Sequence, residues 1–399
     1  MINRIRFVLC FIVCFIVANP FFIAFGIKGS IILAVFSFLT VVSTRKVYLQ
    51  SQQVTVCVLA LLYFITSVIA AIYNKDMTPI VFAGFFLLTV FTVMQTSFDF
   101  AVRLIEVATQ MFVLFIILAI VGAFYYYAGG PPLFSLHLSN GGTNSLYLMT
   151  FSNATDFFIR PSAIYDEPGA FSFYICITVA LRSLLRMSTQ TSGLLLLGGL
   201  ITLSLAHVIF CVIWTVWLLM SINDRQINLK GILIMTAILL LAGLIYKTGL
   251  LDWTFDRAIE FYENPWTNPR QRSLDNTINA LTQSDLKNAL WFGFDADCVS
   301  RKDTCIDFGE NPLTPLIYGG LLVAWPYYAF LIIAFASPLY SSHGLIYAGV
   351  GVLLLQRPYI LEFPYSAIMT LMLVVAIGRS KRFQREAKLE QVVSRNTSM

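Results

Sequence analysis

Four arginines and a few carboxylates stand where phosphate or sugar chemistry could be done. The segment Ile159-Arg160-Pro161-Ser162-Ala163-Ile164-Tyr165-Asp166-Glu167-Pro168-Gly169 sets one cation and two carboxylates just ahead of an apolar run. Pro168 suits the first turn of the helix that follows, and carboxylates before it suit the positive end of its dipole. A cap with a local ion pair is one reading, and the better one for Asp166. For Arg160 and Glu167 a functional reading competes, because charge at the rim of a bilayer is costly and is usually kept for a purpose. Arg270-Gln271-Arg272 opens a helical pattern. Arginine holds phosphate through a planar fork, and helix N-termini attract anions, so this pair could cradle a phosphate or pyrophosphate. A snorkelling anchor to lipid headgroups competes equally for Arg270 and less for Arg272. Arg357, between Gln356 and Pro358, is the fourth cation. His207 with Ser204, and Glu310 with Asn311, lie beside helix ends, where capping competes with a substrate-binding role.

The elements that must position these residues follow from composition. Of 399 residues, 58% are hydrophobic and 12% charged. Soluble domains average roughly a quarter charged. Mean hydropathy is +0.78. This excludes a soluble enzyme, a nucleic-acid binder and a disordered scaffold, and implies an all-α polytopic membrane protein. Apolar runs fall at about 7–25, 29–44, 54–73, 79–97, 105–127, 168–185, 192–221, 230–248, 313–335, 343–356 and 360–378, against about 20 residues for one span. The run from Arg4 and Arg6 to Phe25 is too long for a signal peptide and lacks a small-x-small cleavage site, so it reads as an uncleaved first span.

Charge parity resolves the awkward stretch 192–221. With the N-terminus inside, the cytoplasmic turns carry Arg45 and Lys46, then Arg103, then Arg182 and Arg186, then Arg225 and Lys230. For the last two pairs to share a side the chain must cross twice between them. One helix there would also strand the basic tail, with Arg379, Lys381, Arg382 and Arg385, on the wrong side. The stretch is therefore expected to be two short helices meeting near Ser204–His207, giving about 12 transmembrane helices with both termini cytoplasmic. The tail is residues 379–399.

That topology puts two large loops, 128–167 and 249–312, on the outer face, with Arg160, Arg270, Arg272 and Arg357 beside Glu167. Leu274, Ile278, Leu281, Leu286 and Leu290 recur at near-helical spacing. They predict an amphipathic helix of about 275–290 along the membrane surface. Its Trp291-Phe292-Gly293-Phe294 end serves as an aromatic anchor and turn. Cys298 and Cys305 lie in the same loop, and an oxidising compartment favours a disulfide between them over two separate thiols. The other five of the seven cysteines sit in apolar runs as small packing residues. The sequence has no phosphate loop of the Walker kind, no zinc-spaced Cys/His cluster and no basic aromatic groove for nucleic acid.

Together, Arg160…Asp166-Glu167-Pro168-Gly169 entering a span, Arg272 ahead of a helix ending in Trp291-Phe292-Gly293, Asn311…Leu313…Tyr318-Gly319-Gly320 and Arg357-Pro358 resemble the bacterial O-antigen and exopolysaccharide polymerases. The layout, with many spans and two large periplasmic loops, is similar over nearly the whole chain. The resemblance implies a glycosyltransferase of the inner membrane that joins undecaprenyl-pyrophosphate-linked repeat units on the periplasmic face. A chain-length-regulating co-polymerase is the implied protein partner, and the bilayer and the lipid-linked glycan the other two. Arg272 and Arg357 would stabilise charge developing on the leaving pyrophosphate, with Arg160 and Arg270 in support. Glu167 is the first candidate for the base at the acceptor hydroxyl and Glu310 the second. No acidic metal-binding pair stands out, so transfer without a metal or other cofactor is expected.

Three other classes compete. Related O-antigen ligases carry a functional histidine ahead of the Asn-x-Leu segment, where this chain has Glu310. A lipid-linked oligosaccharide flippase would have short outer loops and charges lining its bundle. A secondary transporter would show matched broken helices in two inverted halves, and only one break is found here.

Overall fold

The computed structural model describes residues 51–94, 98–137, 143–152, 159–165, 167–221, 269–282, 287–294, 312–339, 343–356, 370–372 and 374–375. These are mostly helical. The helices are α1 (Ser51–Asn74), α2 (Thr78–Met94), α3 (Phe98–Tyr127), α4 (Pro168–Leu184), α5 (Thr189–Gly199), α6 (Leu205–Ser221), α7 (Pro269–Thr282), α8 (Lys287–Phe292), α9 (Thr314–Leu339) and α10 (Gly344–Gln356). Among the described residues, three helices are long and apolar enough to cross a membrane: Val54–Asn74, Ala101–Tyr127 and Thr314–Ile333. Shorter apolar helices fall at Thr78–Phe91, Pro168–Leu184, Leu205–Met220 and Gly344–Leu354. The expected spans at 7–25, 29–44 and 230–248, most of 360–378, and the tail lie outside the described residues.

Local chemistry explains the main boundaries. Lys75 turns left-handed (φ 54°) after α1. The Asp76 carboxylate then accepts hydrogen bonds from the Thr78 backbone N–H (2.9 Å) and hydroxyl (2.7 Å), which starts α2. Val54, Val58, Leu61, Ile65 and Ile69 recur every three or four residues on the exposed side of α1, as a lipid-facing stripe should. Its inner side carries Ala60, Ser67 and Ala70, fully buried. Small side chains let helices approach closely where water supplies no driving force. Tyr63, Phe86 and Tyr327, with ring centroids 5.4–5.6 Å apart, knit α1, α2 and α9 together.

The stretch 192–221 is two helices, as charge parity requires. After α5 a single 3₁₀ turn, Leu200–Thr202, ends at Leu203 in the left-handed region (φ 49°, ψ 38°), and α6 begins at Leu205. At the other end of α4, Arg182 departs from its expected place in a cytoplasmic turn. It is 5% exposed. Its guanidinium donates to the hydroxyls of Thr109 (2.9 Å) on α3 and Ser192 (3.1 Å) on α5, and to the Ser188 carbonyl (3.2 Å).

The first large loop corrects the all-α expectation. It folds a three-stranded antiparallel sheet of β1 (Phe134–His137), β2 (Thr143–Tyr147) and β3 (Thr150–Ser152), in that order. Leu146 pairs with Phe134 on one side and Phe151 on the other. The sheet rests on the last turns of α3, where Tyr126 meets Tyr147 edge to face at 5.0 Å. Gly122 leaves room there for the Thr150 side chain and the Tyr147 carbonyl. The second loop also differs from expectation. Its helix starts at Pro269, a favoured first-turn residue, ahead of the expected start near 275.

Contacts fix which end of the bundle each element reaches. His343, at the head of α10, packs on Trp217 near the end of α6 (5.4 Å). Hence α9 ends, and α10 begins, opposite the sheet. The head of α9 is therefore at the sheet end, as is the end of α1, whose Tyr73 and Asn74 meet Phe292 where Gly293 abuts the head of α9. Both loop structures lie at one end, and Arg103, Arg182 and Arg186 at the other.

Candidate functional site

The segment 159–167 is clamped to the sheet before it enters α4. The Ser152 hydroxyl donates to the Arg160 carbonyl (2.9 Å) and accepts from the Arg160 N–H (3.1 Å). The Ser162 hydroxyl reaches the Tyr165 carbonyl (2.6 Å), and the Thr150 hydroxyl accepts from Ala163 N–H (2.8 Å). Tyr165 is fully buried and stacks on Tyr174 (5.1 Å, 24°) and Phe171 (5.8 Å, 20°) of α4. Three of these hydrogen bonds tie the loop to β3 and one closes it on itself, while Tyr165 stacks it on the helix it feeds.

Arg160 is half-buried and reaches across to the break. Its Nε and Nη2 donate to the Thr202 carbonyl (both 3.3 Å), and Nη2 also to the Leu203 carbonyl (3.4 Å). Those carbonyls end the α5–3₁₀ segment, where the dipole is negative and a cation is favoured. Arg160 therefore joins the loop to the broken pair as well as bringing positive charge to its mouth.

Glu167 is the half-buried residue at the head of α4, with extended backbone (φ −135°, ψ 145°) and Pro168 behind it. Its carbonyl accepts from Ala170 and Phe171 N–H (3.0 and 3.2 Å). Its side chain does not cap the helix. Asp166 lies outside the described residues.

His207 is expected at the mouth of the break, but it is buried completely beneath it. Nε2 faces the Leu196 carbonyl at 2.8 Å, so it carries the proton. Nδ1 is then the acceptor, 3.1 Å from the Ser172 hydroxyl and 3.3 Å from the Cys176 thiol. A methyl on Gly199 would collide with the imidazole. The ring is a strut between α4, α5 and α6, held in one tautomer. The sequence alone reads Cys176 as a plain packing residue. Its i, i+4 spacing from Ser172, and a glycine pair at 198–199 opposite, are the signals that mark the socket.

Arg270 and Arg272 lie in the first turn of α7. Behind them Ala280 of α7, Ala289 of α8, Phe294 and Ile317 of α9 form a small buried apolar cluster that ties the arginine helix to the bundle. Arg357, Glu310, Asn311, Cys298 and Cys305 lie outside the described residues. Among the described residues, no three His, Cys, Asp or Glu side chains gather as they would around a metal ion. The arrangement offers a cation and a carboxylate on one braced loop, and two further arginines at a helix start, all at one end of the bundle. Arginines so placed can bind an anionic group, and a carboxylate beside them can accept a proton.

The sequence was compared with known proteins; no family model matches it, and no curated protein matches it.

Proposed function

We propose that the chain is a membrane glycosyltransferase that polymerises undecaprenyl-pyrophosphate-linked oligosaccharide repeat units into O-antigen or a related surface polysaccharide. It acts at the periplasmic face of the bacterial inner membrane, with about 12 spans and both termini in the cytoplasm. The observation that carries this reading is the meeting of both loop structures, with Arg160, Glu167, Arg270 and Arg272, at the end of the bundle away from Arg103, Arg182 and Arg186. The resemblance of the sequence to O-antigen polymerases supports it independently.

In the proposed reaction an acceptor hydroxyl of one repeat unit attacks the sugar carbon that bears the pyrophosphate of another. A carbon–oxygen bond forms as the bond to pyrophosphate breaks, and the electron pair leaves with the lipid pyrophosphate. The hydroxyl proton passes to Glu167, with Glu310 as second candidate. Arg272 and Arg357 stabilise the departing charge and Arg270 supports them. Arg160 holds the segment 159–167, which carries Glu167 into α4, at the break. Preorganised charge of this kind is worth a factor of about 100–1,000 in rate per donor removed.

The test is the surface polysaccharide of a deletion strain carrying the full chain or its variants. Arg272→Ala and Arg357→Ala are expected to leave single repeat units on the lipid A-core while the protein stays in the membrane. Glu167→Gln is expected to do the same. Wild-type ladders from either arginine variant remove that arginine from the site. Free polymer that fails to reach the core in the deletion strain would identify a ligase instead.

A further inference from the structure

The second loop meets the bundle at a joint between two glycines. Gly293, just after α8, has φ 85°, and Gly320, inside α9, has φ 60° and ψ −165°. Both conformations are ones L side chains rarely adopt. Each glycine also faces the other's chain. A methyl on Gly293 would sit 2.6 Å from Gly319 N, 2.7 Å from the Tyr318 carbonyl carbon and 2.8 Å from the Ile317 oxygen. One on Gly320 would run into the backbone of Trp291 and Phe292. Two backbones thus lie in direct contact, sealed by the Phe294 N–H donating to the Ile317 carbonyl (2.8 Å). α1 closes the third side. The Asn74 side chain donates to the Phe292 carbonyl (2.7 Å), and Tyr73 stacks on Phe292 (4.2 Å, 21°).

We propose that Asn74, with the Gly293–Gly320 joint, positions the second loop for glycosyl transfer, fixing the arginine helix α7 at the mouth of the bundle so that lipid pyrophosphate meets a preformed site. The role rests on the proposed polymerase reading. The chain of attachment is continuous: Arg270 and Arg272 stand on α7, α7 packs through Ala280 on Ala289 and Phe294, and those two flank the joint. The Asn74 side chain bonds the Phe292 carbonyl of the joint rather than α7, and it sets how often the loop is in place. A loop in place only a fraction of the time binds substrate more weakly by that fraction, while a saturated enzyme turns over as before. Loss of Asn74 must therefore show in KM rather than kcat. Asn74→Asp keeps the shape and removes the donor, turning a hydrogen bond into a repulsion between two acceptors. Asn74→Gln keeps an amide donor on a longer stem.

The experiment uses the full chain in proteoliposomes, assayed with undecaprenyl-pyrophosphate-linked repeat units. Asn74→Asp is expected to raise KM for the lipid-linked unit about tenfold with kcat within about twofold, and Asn74→Gln to restore most of it. In parallel, a Tyr73→Cys/Phe292→Cys chain is treated with a short bifunctional thiol reagent and the 73–292 linked peptide measured by mass spectrometry. Its yield is expected to fall at least about fivefold when Gly320→Val or Asn74→Asp is added. If Gly320→Val does not accumulate, Asn74→Asp carries both readings with every glycine intact. An unchanged KM in Asn74→Asp, or a fall in kcat at constant KM, overturns the positioning role. An unchanged peptide yield overturns the joint. If the wild-type chain transfers no sugar while the cross-link behaves as described, the polymerase reading and the positioning role fall together and the joint stands.

Discussion

At the scale of single residues, the same type of side chain takes different work from its surroundings. The Arg160 guanidinium donates to two carbonyls from a half-buried place at the mouth of a helix break, whereas Arg182 donates to two hydroxyls and a carbonyl while sealed among three helices. His207 shows why residue type alone misleads. Its place beside Ser204 at a polar interruption suggested a ligand-facing group. Its partners, Leu196, Ser172 and Cys176, come from other helices, and spacing along the chain does not reveal them. Removing the ring leaves the Leu196 carbonyl and the Ser172 hydroxyl without it in a dry interior, a cost of about 1–3 kcal/mol for each group left unsatisfied. His207→Ala is therefore expected to lower the thermal unfolding midpoint in detergent, and Gly199→Val to lower it as well by displacing the imidazole. A midpoint equal to wild type in both variants would show that the break stands without its strut.

At the scale of elements, the sequence exposes whatever is long and periodic and conceals what is short or held from afar. The two helices within 192–221 are legible in the sequence because the expectation that basic pairs on either side of the stretch share one face calls for two crossings, a constraint reaching well beyond the stretch itself. Pro269 as the start of α7 was available as a first-turn signal, but the apolar spacing begins later and drew the boundary with it. The sheet was concealed for a physical reason. Its strands are three to five residues long, too short for an alternating pattern to stand clear of loop composition. The Trp291-Phe292-Gly293 and Tyr318-Gly319-Gly320 segments were both visible; that they touch was not, since the contact depends on backbone conformation at Gly293 and Gly320. Arg182 makes the element-scale prediction. Its planar fork reaches partners on α3, on α5 and before α5 at once, and a lysine ammonium on a flexible stem cannot copy that geometry. Arg182→Ala is expected to lose about 2–3 kcal/mol, the scale of hydrogen bonds to a charged group, with Arg182→Lys recovering only part. Thermal unfolding of the purified full-length variants measures this, and a lysine variant as stable as wild type would count against the clamp.

At the scale of the whole molecule, scarce charge divides the bundle. One end holds Arg103, Arg182 and Arg186, with Trp217 and His343 packed nearby. The other holds the sheet, Arg160, Glu167 and the α7–α8 structure, each fastened to helix ends by hydrogen bonds, stacked rings or backbone contact. The proposed polymerase reading places its chemistry at this elaborated and braced end. In the proposed function this end joins repeat units to one another. Its most direct measurement is the product of the full chain reconstituted in liposomes with undecaprenyl-pyrophosphate-linked repeat units and nothing else. A polymerase yields a ladder of lengthening glycans, with one lipid pyrophosphate released for each bond made, and the ladder is lost in Arg272→Ala. Repeat units recovered at unit length from the wild-type chain would contradict it.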